Sequence, residues 1–327
     1  MKLYVYIIFT ILFSGNLWAQ SFSINLENDV VDGDDNHYTN GTSFMYLSNK
    51  DTNDLNKYDN KFFEYLSLIP TFTQDTKYQS IGLAYSQLAF TPDDLKRSDK
   101  IVGDIPYAGV STLDFALFKW NEKLFHQYMI TIGIVGPSTR TEEFQKSFHA
   151  ITGNTKPQGW DNQLKDDFLY NFTYSFGYKN FNKKFNYGKM DITSSIRFDL
   201  GNYNTAAMIG TMLRYGNNYP DTFNTIGRLI GSNENNLLNV DSKTNKDFAW
   251  AVSYGLGYTY TDYFYINDYD KSYQLDAIED TVTQLISIDT YYDDFILSFN
   301  FKTSKFIFTN ENSTRENWGG FNLTYLF

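Results

Sequence analysis

Three histidines make up the whole imidazole inventory of this 327-residue chain: His37, His126 and His149. Histidine is the usual general base near neutral pH, because its unperturbed pKa is about 6.5. His126 stands in a strand-like run beside Lys123 and Gln127 and reads as structural. His37 follows an acidic stretch and reads as a loop-surface residue. His149 has the setting that chemistry needs. A short helix is predicted from Thr141: Thr141 can cap it, Glu142 and Glu143 suit the positive end of its dipole, and Gly153 suits its stop. Phe144, Phe148 and Ile151 form its apolar stripe. Gln145 and His149, four apart, share a different face, so Gln145 can orient the imidazole from one turn back. No Ser or Cys lies in a recognisable nucleophile motif, which leaves activated water as the simpler nucleophile. Asp29, Asp32, Asp34 and Asp35 offer hard oxygen donors of the kind that suit Ca²⁺. Their spacing is not that of an EF-hand loop, and a plain solvated acidic loop is the alternative.

Composition and patterning define what could position these residues. The net charge is −11, and that acidity argues against nucleic acid as a partner, since phosphate binding needs clustered Lys and Arg. The chain has no Cys, so an exported protein of this sequence must hold itself by a large core or a closed sheet. Export is expected: Lys2, the apolar run from Leu3 to Phe13 and a cut after Ala19 read as a signal peptide, with Leu17 departing from the small residue usual before the cut. Residues 20–327 then form a single domain.

Tyr and Phe number 27 and 29, yet mean hydropathy is −0.43. Alternation reconciles the two. Phe168, Tyr170, Phe172, Tyr174, Phe176 and Tyr178 share one face of a strand, with Leu169, Asn171, Thr173, Ser175 and Gly177 on the other. Trp250 to Tyr260 repeats the design, and Asp191, Thr193, Ser195, Arg197 and Asp199 are a polar inward set that suits a barrel lumen, not a dry core. About twelve strands follow, near 22–30, 38–49, 77–89, 107–119, 124–135, 167–179, 187–200, 205–216, 247–263, 281–291, 294–308 and 316–327. The fold class is therefore all-β: a transmembrane antiparallel barrel of about twelve strands in the bacterial outer membrane, with a short helix in one extracellular loop and both termini periplasmic. The last strand ends in Phe327, in the manner of a barrel sorting signal.

With that orientation, the connections after the first, third and fifth strands meet at the outer rim. They bring together Glu27-Asn28-Asp29, Tyr38-Thr39-Asn40-Gly41, Asp104-Ile105-Pro106-Tyr107-Ala108-Gly109 and the loop holding His149. Of the adjacent Asn28 and Asp29, one must point out from the wall and the other in. A carboxylate facing lipid is costly unless a cation or a polar ligand covers it.

These segments, followed by Gly136-Pro137, Gln145, His149, Gly153 and Pro157-Gln158-Gly159-Trp160-Asp161-Asn162-Gln163-Leu164, resemble the outer-membrane lipid A 3′-O-deacylase family (LpxR type), in the family's order and over roughly residues 21–327. The resemblance implies a twelve-stranded barrel that uses Ca²⁺ to remove the 3′-linked acyloxyacyl group of lipid A in the outer leaflet. It matches Asn28, Asp29 and Thr39 to the cation and oxyanion region, His149 to the general base, and Gln145 to a polar neighbour of that base. It places the site between barrel wall and lipid. An acidic residue that some members carry after the histidine has no clear counterpart; Asn154 and Thr155 occupy that vicinity. Lys96, Arg97 and Lys100 are candidates for docking lipid A phosphates by position alone. Two alternatives stay open: an outer-membrane phospholipase, which would need a Ser nucleophile beside a His, and a non-enzymatic channel or structural barrel. The oligomeric state is not encoded in any recognisable motif; a monomer is expected.

Overall fold

The computed structural model describes residues 19–28, 37–48, 51–52, 61–73, 76–226, 247–304, 308–309 and 316–327. Most of the predicted signal segment, together with Asp29, Asp32, Asp34 and Asp35, lies outside the described residues. Twelve long strands follow one another along the chain: β1 (Ala19–Asn28), β2 (His37–Ser48), β3 (Tyr78–Thr91), β4 (Ala108–Trp120), β5 (Leu124–Val135), β6 (Asp167–Phe185), β7 (Gly188–Gly201), β8 (Asn204–Asn217), β9 (Ala249–Phe264), β10 (Asp280–Tyr292), β11 (Phe295–Ser304) and β12 (Glu316–Leu326). Each pairs antiparallel with its sequence neighbours, and β1 also pairs with β12, which closes the ring. The barrel is thus an up-and-down meander with no open edge. Strand boundaries differ modestly from expectation: β6 continues to Phe185, because the polar tail Asn182–Lys184 still finds ladder partners on β7.

The period-2 pattern sorts as predicted. Phe168, Tyr170, Phe172 and Tyr178 are exposed on the outside, as are Tyr254, Leu256, Tyr258 and Tyr260. Asp191, Thr193, Ser195, Arg197 and Asp199 are buried in the lumen. The buried charges are paired, as a low-dielectric interior requires. Arg197 donates to both oxygens of Asp199, and Thr173 Oγ1 donates to the same carboxylate at 2.6 Å. Arg214 donates to Asp191 Oδ2 at 2.8 Å and to the Thr222 carbonyl at 2.9 Å, and the Tyr219 hydroxyl donates to Asp191 as well.

Two of these partners belong to no strand. After β8 the chain turns back into the barrel, so that Tyr219, Thr222, Phe223 and Ile226 are buried within the bore. Phe223 packs on Phe125, with ring centroids 5.1 Å apart, and Ile226 packs with Met208, Met212 and Leu285. Inward-facing Gly210 and Gly257 leave the room: a Cβ at Gly210 would run into the Ile226 side chain, and one at Gly257 would crowd Met208 and Ile226.

Among the described residues, three helices decorate the connections: α1 (Lys61–Ser67), α2 (Thr141–Thr152) and the single turn α3 (Tyr265–Asp268). Only α2 is predicted from sequence. Helix α1 is too short to be stable alone and exists through contacts with the wall.

Candidate active site

The rim end of the barrel carries a polar patch on its outer surface. Asn28, Asn40, Ala89 and Gly109 are successive ladder partners across β1, β2, β3 and β4. Asn28 shares the parity of exposed Phe22 and Leu26, so it belongs to the exterior. Its neighbour Glu27 points into the lumen, where the Tyr38 hydroxyl donates to Oε2 at 3.0 Å. Asn28 Nδ2 donates to the Thr39 carbonyl at 2.7 Å. A bulge between Tyr38 and Asn40 lets Tyr38 turn inward against Phe90, with centroids 5.7 Å apart. It leaves fully buried Thr39 beside Thr91, their hydroxyl oxygens 2.6 Å apart.

Helix α2 is seated on the same outer wall. Gly136 (φ 107°) and left-handed Arg140 (φ 57°) turn the chain back over β4, and the Gly136 N–H donates to the Gly109 carbonyl at 2.9 Å. Thr139 and Thr141 then sit directly over Gly109; a Cβ there would lie 2.6 Å from Thr141 Cβ. Gln87, outward on β3, donates to the Thr139 carbonyl at 2.9 Å and to Thr141 Oγ1 at 3.3 Å. The expected cap role of Thr141 is corrected: Arg140 is the N-cap residue, without a side-chain cap, while the Thr141 hydroxyl donates to Thr139 Oγ1. Gly153 (φ 78°) ends the helix as predicted, its N–H donating to the His149 carbonyl at 2.9 Å.

The faces of α2 are divided in the way a membrane-facing surface requires. Phe144 is 43% and Phe148 37% exposed, whereas Gln145 and His149 are each 2% exposed. Phe144 and Phe148 face outward, as do the aromatics on the rest of the barrel exterior, and the polar pair is held beneath them; the side chain of Ile151 lies outside the described residues. His149 Nδ1 lies 2.6 Å from the Thr155 carbonyl. A carbonyl only accepts, so Nδ1 carries the proton. Gln145 Oε1 accepts from Trp160 Nε1 at 2.8 Å, which fixes the amide with its NH₂ group directed elsewhere; that Nε2 has no hydrogen-bond partner among the described residues. A buried donor in that condition is poised for a ligand or water.

The flanking motifs hold this pair. Trp160 packs on Tyr107, ring centroids 5.1 Å apart, together with Leu95. A Cβ at Gly159 would collide with the Tyr107 ring. Burial pushes the Tyr107 phenol up to about 12, so it stays neutral at pH 7. Asp104 accepts from the backbone N–H groups of Asp93 at 2.9 Å and Ile105 at 2.7 Å, shaping the loop that delivers Tyr107.

His37 is not the loop-surface residue expected. It opens β2 with φ 63°, and its Nε2 lies 2.9 Å from Asp93 Oδ1 and 3.5 Å from Asp104 Oδ1. One ligand atom from each of these three residues falls within 4.8 Å of the others, a mixed nitrogen and oxygen set that could hold a metal. At the patch itself, Asn28 and Thr39 supply oxygens of the hard type that Ca²⁺ prefers, and the Asn28 amide has already committed its NH₂ end. His126 is structural as predicted: it is fully buried between Thr73 and Tyr174. Of the basic candidates, Arg97 is paired with Asp99, and Lys100 contacts Ser272 and lies 3.9 Å over the Tyr273 ring, leaving Lys96 exposed.

The structure therefore joins Asn28 to Thr39 through one hydrogen bond and Gln145 to His149 on one buried helix face. Strand β3 connects the two halves, since outward Gln87 grips the start of α2 and outward Thr91 holds Thr39. Sequence reasoning missed Thr91, Gln87 and the role of Trp160. Parity on β3 signals Gln87; only the fold brings Thr91 to Thr39 and Trp160 to Gln145.

A closed twelve-stranded barrel with an aromatic exterior, a polar lumen and a buried imidazole on its outer wall defines an integral outer-membrane protein with a wall-borne candidate site. The chain belongs to the family of outer membrane protein LpxR, whose model matches residues 4–327. Membership supports an outer-membrane lipid A deacylase. LpxR from Salmonella typhimurium has the same fold, with a TM-score of 0.74 at 14% identity over 94% of this chain and 100% of that one. The beta domain of the Bordetella autotransporter BrkA aligns with a TM-score of 0.44 at 8% identity, over 94% of this chain and 99% of that one. No curated protein matches the chain by sequence.

Proposed function

We propose that the protein is an esterase that removes the 3′-linked acyloxyacyl group of lipid A in the outer leaflet, with His149 activating water. The observation that carries this reading is the His149 imidazole, buried against the outer wall beneath a lipid-facing helix, with Nδ1–H donating to Thr155. With the proton on Nδ1, Nε2 is the ring nitrogen that serves as the base. It takes a proton from water as the oxygen attacks the ester carbonyl, then returns it to the departing sugar oxygen. Gln145 Nε2, a buried donor, hydrogen-bonds to the water or to the carbonyl oxygen. Phe144 and Phe148 meet acyl chains, so the ester reaches the wall without leaving the membrane plane.

Asn28 and Thr39, with Asp29, would hold Ca²⁺, which when bound polarises the ester carbonyl and stabilises developing negative charge. The residues present fit such an ion, because their available donors are oxygens. Mass spectrometry of lipid A from cells producing the protein tests the reading. Loss of one acyloxyacyl mass with the wild type, and none with His149→Ala, is the expected result. Unchanged lipid A with a well-folded wild-type protein would overturn it.

A further inference from the structure

At the barrel end opposite Asn28, the outer wall carries a second polar patch. Gln79, Lys119 and His126 are ladder partners across β3, β4 and β5, share the outward parity, and are almost completely buried. An ammonium on the lipid side of a barrel is costly unless acceptors surround it. Here they come from outside the barrel. Lys119 Nζ donates to the carbonyls of Ser67 at 2.9 Å and Ile69 at 2.5 Å, at the end of α1. The Tyr128 hydroxyl donates to the Pro70 carbonyl at 2.6 Å, and Thr73 Oγ1 lies 2.8 Å from His126 Nε2.

Residues 61–73 thus lie along the wall with their backbone acceptors turned inward. Their exposed side chains are mainly apolar: Tyr65 and Leu68 are each 67% exposed and Phe72 is 87% exposed, with Glu64 exposed beside them. This face is continuous with the membrane belt. The Phe72 ring meets Tyr174 edge-on, at 5.5 Å. Tyr174 and its ladder partner Tyr128 lie one outward row from Ile130 and Phe172, which are about half exposed in mid-strand. At a rise of about 3.4 Å per residue, that row is within roughly 7 Å of the foot of the belt.

We propose that residues 61–73 form an in-plane membrane foot, inserting Tyr65, Leu68 and Phe72 into the phospholipid of the periplasmic leaflet while Lys119 anchors their backbone. The segment is amphipathic in the interfacial sense, with apolar side chains at the boundary between headgroups and acyl chains. The proposal stands apart from the enzymatic reading.

The absence of Cys makes single-cysteine labelling clean. An NBD fluorophore is attached at Phe72→Cys, with Phe172→Cys as the belt reference and Glu122→Cys, in the exposed turn at the same end, as the water reference. Each protein is reconstituted in phosphatidylethanolamine–phosphatidylglycerol vesicles. The expected result is blue-shifted emission at position 72, quenching by nitroxide-bearing lipid as at position 172, and loss of iodide quenching. Iodide quenching equal to that at position 122 overturns the proposal. Adding Lys119→Met should make the label at 72 iodide-accessible, with heat-modifiable gel mobility reporting that the barrel still folds. A label that stays in lipid there removes Lys119 from the proposal, and the Phe72→Cys comparison alone still decides the rest.

Discussion

The indole N–H of Trp160 reaches Gln145 Oε1 across 2.8 Å, and this bond decides which end of the Gln145 amide faces the remainder of the site. Trp160→Phe keeps the ring against Tyr107 and deletes the donor. Losing one such hydrogen bond costs about 1–2 kcal/mol, so deacylation should slow by roughly ten-fold while the barrel keeps its gel mobility. Time courses of lipid A mass spectra check it; a wild-type rate would remove Gln145 orientation from the mechanism.

Replacing His149 by Gln retains a polar side chain of similar length and removes the base. General-base removal costs about 100-fold or more. The same mass-spectrometric assay, with thermal unfolding in detergent as the control, distinguishes lost chemistry from lost structure.

Gly109 is a steric requirement of the helix seat. Gly109→Val places branched carbons where Thr139 and Thr141 already stand, so α2 must lift from the wall. Deacylation should fall at least as far as in the Trp160 variant. The barrel, whose ladder at β3–β4 is untouched, should remain heat-modifiable.

Divalent-ion dependence tests the oxygen donors at Asn28 and Thr39. Chelation by EDTA should abolish activity and Ca²⁺ should restore it, with Asn28→Ala raising the Ca²⁺ concentration needed for half-activity. Activity indifferent to chelator would dismiss a cation from the reaction.

Deep in the lumen, Arg214→Met strands the Asp191 carboxylate with, among the described residues, the Tyr219 hydroxyl as its remaining side-chain donor. Breaking a buried pair on one side costs about 3 kcal/mol or more. A lowered urea midpoint should result. The double variant with Asp191→Leu should recover part of the loss.

The strands were legible because each residue of a barrel wall sees either lipid or lumen, and period-2 alternation records that choice directly, as in Phe168 to Tyr178. The buried face of α2 was legible for a related reason: Gln145 and His149 are four apart, and the aromatic residues beside them belong to another face. Where each face points is set by the fold, since an aromatic stripe turns toward lipid only when the helix lies on a barrel exterior. Thr91 escaped notice because its role depends on the bulge at Thr39, which alternation does not mark. His37 was misread because its carboxylate neighbours, Asp93 and Asp104, come from another connection. Helix α1 and the inward segment after β8 were invisible as well. Each is held by side chains reaching from the wall, such as Lys119 and Arg214, and not by any periodicity of its own.

The segment from Tyr219 to Ile226 bears on where the protein can work. Its side chains are wedged among inward residues of β2, β4, β5, β8, β9 and β10, so that level of the bore is filled by protein. A lumen plugged by its own chain at that level offers solutes no straight path, so the working surface of this barrel is its outer wall and not its interior.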